Sequence, residues 1–234
     1  MDEAQQKCRR LILLPGMDGT GRLMKWFVDE LKDEVNTSII RFPSGQDQSY
    51  EFLTGYVREQ LPLNAEIVLL AESFSGPIAY RLLQEEKINI VSVIFVASFI
   101  KTPGLRVRLA SRLVPRFLMK KSFLTNLAAK ALLPDLGSEK ELFQTVWEVI
   151  DEVGPETLKR RMKAISSLPE PSHRICKPCF YIQAEDDFFV PGLNFSEFEK
   201  HFDNIKLYRI KGPHLVLQAR PRECAAIVRI ILTP

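Results

Sequence analysis

Ser73, Asp187 and His214 each stand a few residues past a short apolar run. A serine hydroxyl is a weak nucleophile at neutral pH and attacks a carbonyl only when a base takes its proton. Histidine is the side chain whose ordinary pKa suits that task. The histidine in turn needs an acid that fixes its tautomer and stabilises the imidazolium. These residue types, in the order Ser, Asp, His, predict attack on an ester or thioester carbonyl through a covalent acyl intermediate. The prediction holds only if the fold brings them together.

The surroundings of each residue bear on that condition. Glu66 to Tyr80 reads EIVLLAESFSGPIAY. The apolar run Ile67–Leu70 predicts a strand, Gly76-Pro77 opens a helix, and Ser73 sits at the turn between them. Such a turn lifts the hydroxyl above the sheet, and small residues are needed two positions before and after it; Ala71 and Ser75 meet that need. A serine in a small-residue turn is also ordinary turn chemistry, so the other groups decide. Of the histidines, His173 lies between proline-containing stretches and His201 follows Glu199-Lys200 on a helix surface. His214, in Lys211-Gly212-Pro213-His214-Leu215, leaves the carboxyl end of the last strand, where sites of open parallel sheets are built. Glu185, Asp186 and Asp187 follow the fifth strand at the same end; they form either a solvated turn or the source of the acid, for which Asp187 fits.

An attacked carbonyl develops an oxyanion, which backbone N–H groups must meet. The N–H of Phe74 follows the nucleophile directly. The second donor is expected from Leu14-Pro15-Gly16-Met17-Asp18-Gly19-Thr20-Gly21, with Met17 as that donor. Gly16 and Asp18 on this loop, and Phe188 beside the acid, are the candidate substrate-contacting residues. The loop lacks both the G-x-G-x-x-G order and a Gly-Lys-Ser/Thr ending, which argues against a nucleotide.

Something must hold these loops at one rim. The chain has 234 residues, 46% of them hydrophobic, enough for one large core. Its net charge of +3 gives no case for nucleic acid. The polar, mixed-charge start and the lack of a membrane-length apolar run predict a soluble, cytoplasmic protein with no transmembrane segment. Cys176-Lys-Pro-Cys179 has no second ligand pair for zinc and precedes a strand, so it is expected to be two plain thiols. No metal or organic cofactor is expected.

Strands are expected over Arg10–Leu14, Thr37–Phe42, Ile67–Ala71, Val91–Ala97, Cys179–Gln183 and Lys206–Ile210. Near-continuous apolar runs of this length read as parallel strands buried on both faces. Helical stripes alternate with them: Leu23, Met24, Phe27, Val28, Leu31; Leu53, Tyr56, Val57, Gln60, Leu61; Ile78, Ala79, Leu82, Leu83; and a last helix over Arg222–Ile231. The prediction is an α/β fold, one domain over 1–234, with a mainly parallel sheet of about six strands and helices on both faces. The alternation breaks once, after the fourth strand. About eighty residues there carry no strand pattern and read as helices over Leu105–Leu113, Lys121–Leu132, Glu139–Val153 and Glu156–Ile165, a helical cap spanning 101–167.

With LPGMDGTG, AESFSG, D-F-F-V-P and G-P-H in these places, the sequence resembles the α/β-hydrolase superfamily over about residues 9–100 and 157–232. The PGMDGTG form is similar to that of small esterase- or thioesterase-like members. The resemblance implies Ser73 as nucleophile, His214 as general base and, through the D-x-x-V-P spacing, Asp187 rather than Asp186 as acid. Alanine replaces the first glycine of the turn, proline stands where many members have histidine in the oxyanion loop, and the two leading strands of larger members are missing. None of these departures removes a catalytic group.

The expected activity is hydrolysis of a carboxylic ester or acyl thioester. The rivals are acyl transfer to an alcohol on the same residues and a ligand-binding protein without catalysis. Residues 101–130 carry Lys101, Arg106, Arg108, Arg112, Arg116, Lys120, Lys121 and Lys130 with no Asp or Glu. Such a surface is either the solvated face of the cap or a dock for an anionic carrier: coenzyme A, an acyl carrier protein or an anionic membrane surface. Phe117, Phe123, Leu132 and Leu133 favour an acyl chain.

Overall fold

The four central apolar runs become strands because their alternate residues find a buried face on either side, while the two edge strands stay partly exposed. In the computed structural model, which describes residues 9–45, 47–103, 140–190 and 194–233, six parallel strands form one sheet. They are β1 Arg10–Leu14, β2 Thr37–Ile39, β3 Ile67–Glu72, β4 Ile90–Val96, β5 Cys179–Ala184 and β6 Ile205–Ile210, in the order β2-β1-β3-β4-β5-β6. Ile67, Leu69 and Ala71 of β3 enter one core with Phe95, Tyr181 and Phe198. Val68 and Leu70 enter the other with Leu11, Leu13, Ile94 and Ile182. A strand with period two cannot leave either face wet here, so its sequence shows no polar alternation.

The helices divide between these faces. On one, Leu53 and Val57 of α2 (Tyr50–Arg58) pack with Ile78 and Leu82 of α3 (Gly76–Leu82). On the other, Phe27 and Leu31 of α1 (Lys25–Leu31) pack with Ala225 and Val228 at the C-terminal end of the chain. Ser49 caps α2, its hydroxyl accepting from the Phe52 N–H at 3.2 Å. Between β4 and β5 the described residues form α4 (Lys140–Val153) and α5 (Pro155–Ser166). Leu142, Val146, Val149 and Val153 make one stripe of α4, buried with Leu23 and Leu158. The helices expected over Leu105–Leu113 and Lys121–Leu132 lie outside the described residues. So do all the basic cap residues named above except Lys101, which pairs with Glu197 at 3.0 Å and Glu170 at 3.7 Å. After β5 come α6 (Phe195–His201), α7 (Val216–Ala219) and α8 (Pro221–Leu232).

The second strand is shorter than its apolar run. Ile40 still donates to Leu13 O at 3.0 Å, but the Phe42 N–H turns to Gly19 O at 2.8 Å, so the chain leaves the ladder for the loop after β1. The one-turn helix α7 has no sequence periodicity to announce it. Cys176 is exposed, its thiol near Asp203, while Cys179 is buried in β5. No described helix is long and apolar enough to cross a membrane.

Candidate active site

Because all strands run one way, every strand ends at the same rim. The loops after β1, β3, β4, β5 and β6 meet there, and the order reverses between β1 and β3, the crevice where open α/β sheets place ligands.

The chain leaves β3 through a tight turn. Ser73 has φ 44°, a left-handed conformation rare for a residue with a β-carbon, and the 3-10 turn Ser73–Ser75 runs straight into α3. Ser98 Oγ, from the end of β4, donates to Ser73 O at 2.7 Å and braces the strained residue. A β-carbon on Gly76 would overlap Phe99 O and Ser98 Oγ, so glycine lets the helix begin this close to β4. Ser75 is buried, and its hydroxyl donates to Pro15 O, tying the turn to the loop after β1. Pro77 occupies the first turn of α3 as expected.

The structure brings the three predicted side chains together. Ser73 Oγ lies 2.9 Å from His214 Nε2, and His214 Nδ1 lies 2.7 Å from Asp187 Oδ2. The other carboxylate oxygen of Asp187 accepts the N–H groups of Phe189 and Val190, each at 2.8 Å, which fixes the carboxylate plane. Asp186 points to solvent, and only its backbone joins the site, donating to Gly212 O at 3.0 Å. His173 and His201 lie elsewhere, joined to one another through His173 O. Burial disfavours the charged imidazole of His214, but the charge and hydrogen bond of Asp187, with the charge of Glu72, outweigh it and hold the pKa above its ordinary value.

Met17 begins the outer part of the loop after β1. Gly19 N–H donates to Gly16 O at 3.0 Å, closing a turn with Met17 and Asp18 at its centre. Among the described residues the Met17 N–H has no acceptor. Phe74 lies in the first turn leading into α3, where N–H groups lack helical partners; its ring is buried, stacked on Tyr50 at 4.9 Å. Gly16 lies against the Glu72 carboxylate. The Asp18 carboxylate turns back on its own loop, accepting from Thr20 N at 2.9 Å and Thr20 Oγ1 at 2.7 Å. Phe188 is 56% exposed, and the ring beside His214 is that of Phe189, with centroids 5.5 Å apart.

Two charged residues that the sequence motifs do not single out, Glu72 and Arg161, also lie here. Glu72 precedes the serine and is buried, accepting from Gln218 Nε2 at 2.8 Å. Burial above all, helped by Asp18 and opposed by the Gln218 bond, pushes its carboxyl up to about 7. A glutamate in an otherwise apolar strand was the available signal. Arg161 on α5 is fully buried; burial pushes it down to about 10, which still leaves a cation at neutral pH. Its signal was an arginine within the stripe Leu158, Met162, Ile165. Among the described residues, no group of three or more His, Cys, Asp or Glu side chains is placed to hold a metal ion.

The arrangement can pass a proton from a hydroxyl to an imidazole beside unpartnered backbone donors, the elements of acyl transfer. No protein-family model and no curated protein matches the chain. Solved structures do. A lipase-esterase related protein from Clostridium acetobutylicum ATCC 824 superposes with a TM-score of 0.79 at 14% identity, covering 97% of this chain and 96% of that one. MenH from S. aureus gives 0.77 at 17% identity, with 99% and 96% covered. An esterase from Exiguobacterium antarcticum gives 0.75 at 12%, with 97% and 92% covered. The fold is the α/β-hydrolase fold.

Proposed function

We propose that this protein is a serine hydrolase that cleaves carboxylic esters or acyl thioesters. The observation that carries the reading is the chain of hydrogen bonds from Ser73 Oγ through His214 to Asp187, at 2.9 and 2.7 Å. Ser73 Oγ attacks the carbonyl carbon while its proton passes to His214 Nε2. Asp187 holds the Nδ1–H tautomer and stabilises the imidazolium. The N–H groups of Met17 and Phe74 meet the tetrahedral oxyanion. On collapse, the Nε2 proton goes to the departing oxygen or sulfur, leaving an acyl ester on Ser73. Water, deprotonated by the same imidazole, releases the acid and restores the hydroxyl. The segment 101–167, whose described helices are α4 and α5, is the proposed cap over the acyl group.

The test is Ser73→Ala against a panel of p-nitrophenyl esters and acyl-CoA thioesters of graded acyl length. Loss of kcat by several decades, up to about a millionfold, is the expected result. A loss below about tenfold would exclude Ser73 as nucleophile. Labelling by a fluorophosphonate, abolished in Ser73→Ala, separates this reading from a non-catalytic binding protein.

A further inference from the structure

Arg161 heads the fully buried side chains of the described residues by size, and among those residues no carboxylate forms an ion pair with it, although the charge of Asp18 favours its cationic form. Removing a guanidinium from water is costly, and at this position in the α5 stripe an aliphatic side chain would serve packing. The guanidinium instead binds backbone. Nη1 donates to Met17 O at 2.9 Å and Asp18 O at 2.7 Å, Nη2 to Pro43 O at 3.1 Å, and Nε to Gln48 Oε1 at 2.7 Å. The first two acceptors are the central carbonyls of the Gly16–Gly19 turn.

That turn is held from two sides. On the inner side, Ser75 Oγ donates to Pro15 O and the Gly16 amide meets the Glu72 carboxylate, so the start of the loop is docked on the serine turn. On the outer side, the single Nη1 takes both following carbonyls. A peptide is planar with C=O and N–H opposed, so holding Asp18 O orients the Gly19 N–H, which donates to Gly16 O, and Gly16 O shares its peptide plane with the Met17 N–H and fixes its direction. Gly19 belongs to the same device: its φ is +67°, and a β-carbon there would lie 2.5 Å from Arg161 Nη1. Only glycine lets the guanidinium reach the turn.

We propose that Arg161 is a positioning residue for the oxyanion hole, holding the Met17 N–H on the developing oxyanion by anchoring the two carbonyls that follow it. The proposal rests on reading Met17 and Phe74 as the oxyanion donors. A donor aligned in advance acts on the transition state more than on the bound ester. Its loss therefore shows in kcat and leaves KM.

Arg161→Lys, which keeps the charge but loses the fork, and Arg161→Met are compared with wild type on one p-nitrophenyl ester. The expected result is a kcat lower by about 10- to 100-fold, below the loss of a whole oxyanion donor, with KM within about twofold. The affinity for a trifluoromethyl ketone analogue, whose adduct carries the oxyanion, falls by the same factor, while the midpoint of the acid limb of kcat/KM stays in place. A kcat within about twofold of wild type, a rise confined to KM, or an unchanged ketone affinity overturns the role. Should neither variant fold, as judged by circular dichroism, Gln48→Met decides. It removes the Nε acceptor without touching the turn and is expected to lower kcat and ketone affinity together by a smaller factor; unchanged values overturn the role. A Ser73→Ala enzyme that stays active overturns the nucleophile assignment and this proposal with it. A Ser73-dependent enzyme whose Arg161 variants keep full kcat overturns the positioning role alone.

Discussion

Ser73 Oγ and His214 Nε2 belong to side chains 141 positions apart, and their 2.9 Å contact exists only because each is fixed from behind. Asp187 fixes the imidazole, and two backbone N–H groups fix Asp187. Asp187→Asn should therefore lower kcat by about 10⁴-fold through the wrong tautomer, whereas Asp186→Asn, on an exposed side chain, should change it little; the opposite ranking would move the acid to Asp186. The pH profile follows from charge. His214 accepts a proton only when neutral, and its pKa is raised, so kcat/KM should fall towards acid with a midpoint above the ordinary histidine value. The Glu72 charge contributes to that rise, so Glu72→Gln should move the midpoint to lower pH. A midpoint that stays put or moves up would remove Glu72 from the electrostatics of the base. Glu72 also marks stability. Its carboxyl titrates at about 7 when folded against an ordinary 4.5, so the unfolded chain ionises first and stability falls as pH rises through that window. The loss is about 3 kcal/mol from that displacement. The stabilisation of Glu72→Gln over wild type, measured by urea unfolding, should then be larger at pH 8 than at pH 4.5; equal values would contradict it.

At the scale of elements, the site depends on how β3 hands over to α3. The apolar run and the Gly-Pro start were legible because strand burial and first-turn proline have local signatures. The turn pattern asks for small residues at Ala71 and Ser75, and the structure adds Gly76, where a β-carbon would meet the backbone at the end of β4. Only the packing of two strand ends reveals that collision. Gly76→Ala should cost about 1–3 kcal/mol, as overpacking does, and slow fluorophosphonate labelling of Ser73, because the turn must shift to clear Phe99 O. Unfolding and labelling both at wild-type values would show that the turn accommodates the added carbon without cost. The early end of β2 has the same kind of cause: its apolar residues continue, but the Phe42 N–H is claimed by Gly19 O.

For the whole molecule, the parallel sheet explains why the loops carrying Ser73, Asp187 and His214 meet at one rim. Seven of the eight basic residues of 101–130 lie outside the described structure, and Lys101 is already paired. An anionic carrier at that surface is thus a matter for measurement: kcat/KM for an acyl-CoA should drop steeply with added salt while that for a neutral p-nitrophenyl ester holds, and parallel salt responses would remove the carrier. Residue types, the strands along the chain and the candidacy of Ser73, Asp187 and His214 were all readable in the sequence. Each rests on local propensity or on a reaction that admits few side chains. The tertiary structure alone decided that Phe189 rather than Phe188 lies beside the imidazole, and that Glu72 and Arg161 are buried around the loop after β1. Those choices turn on contacts between segments far apart in the chain. A one-dimensional pattern records which residues are present, while burial and direction arise only when the loops share one rim.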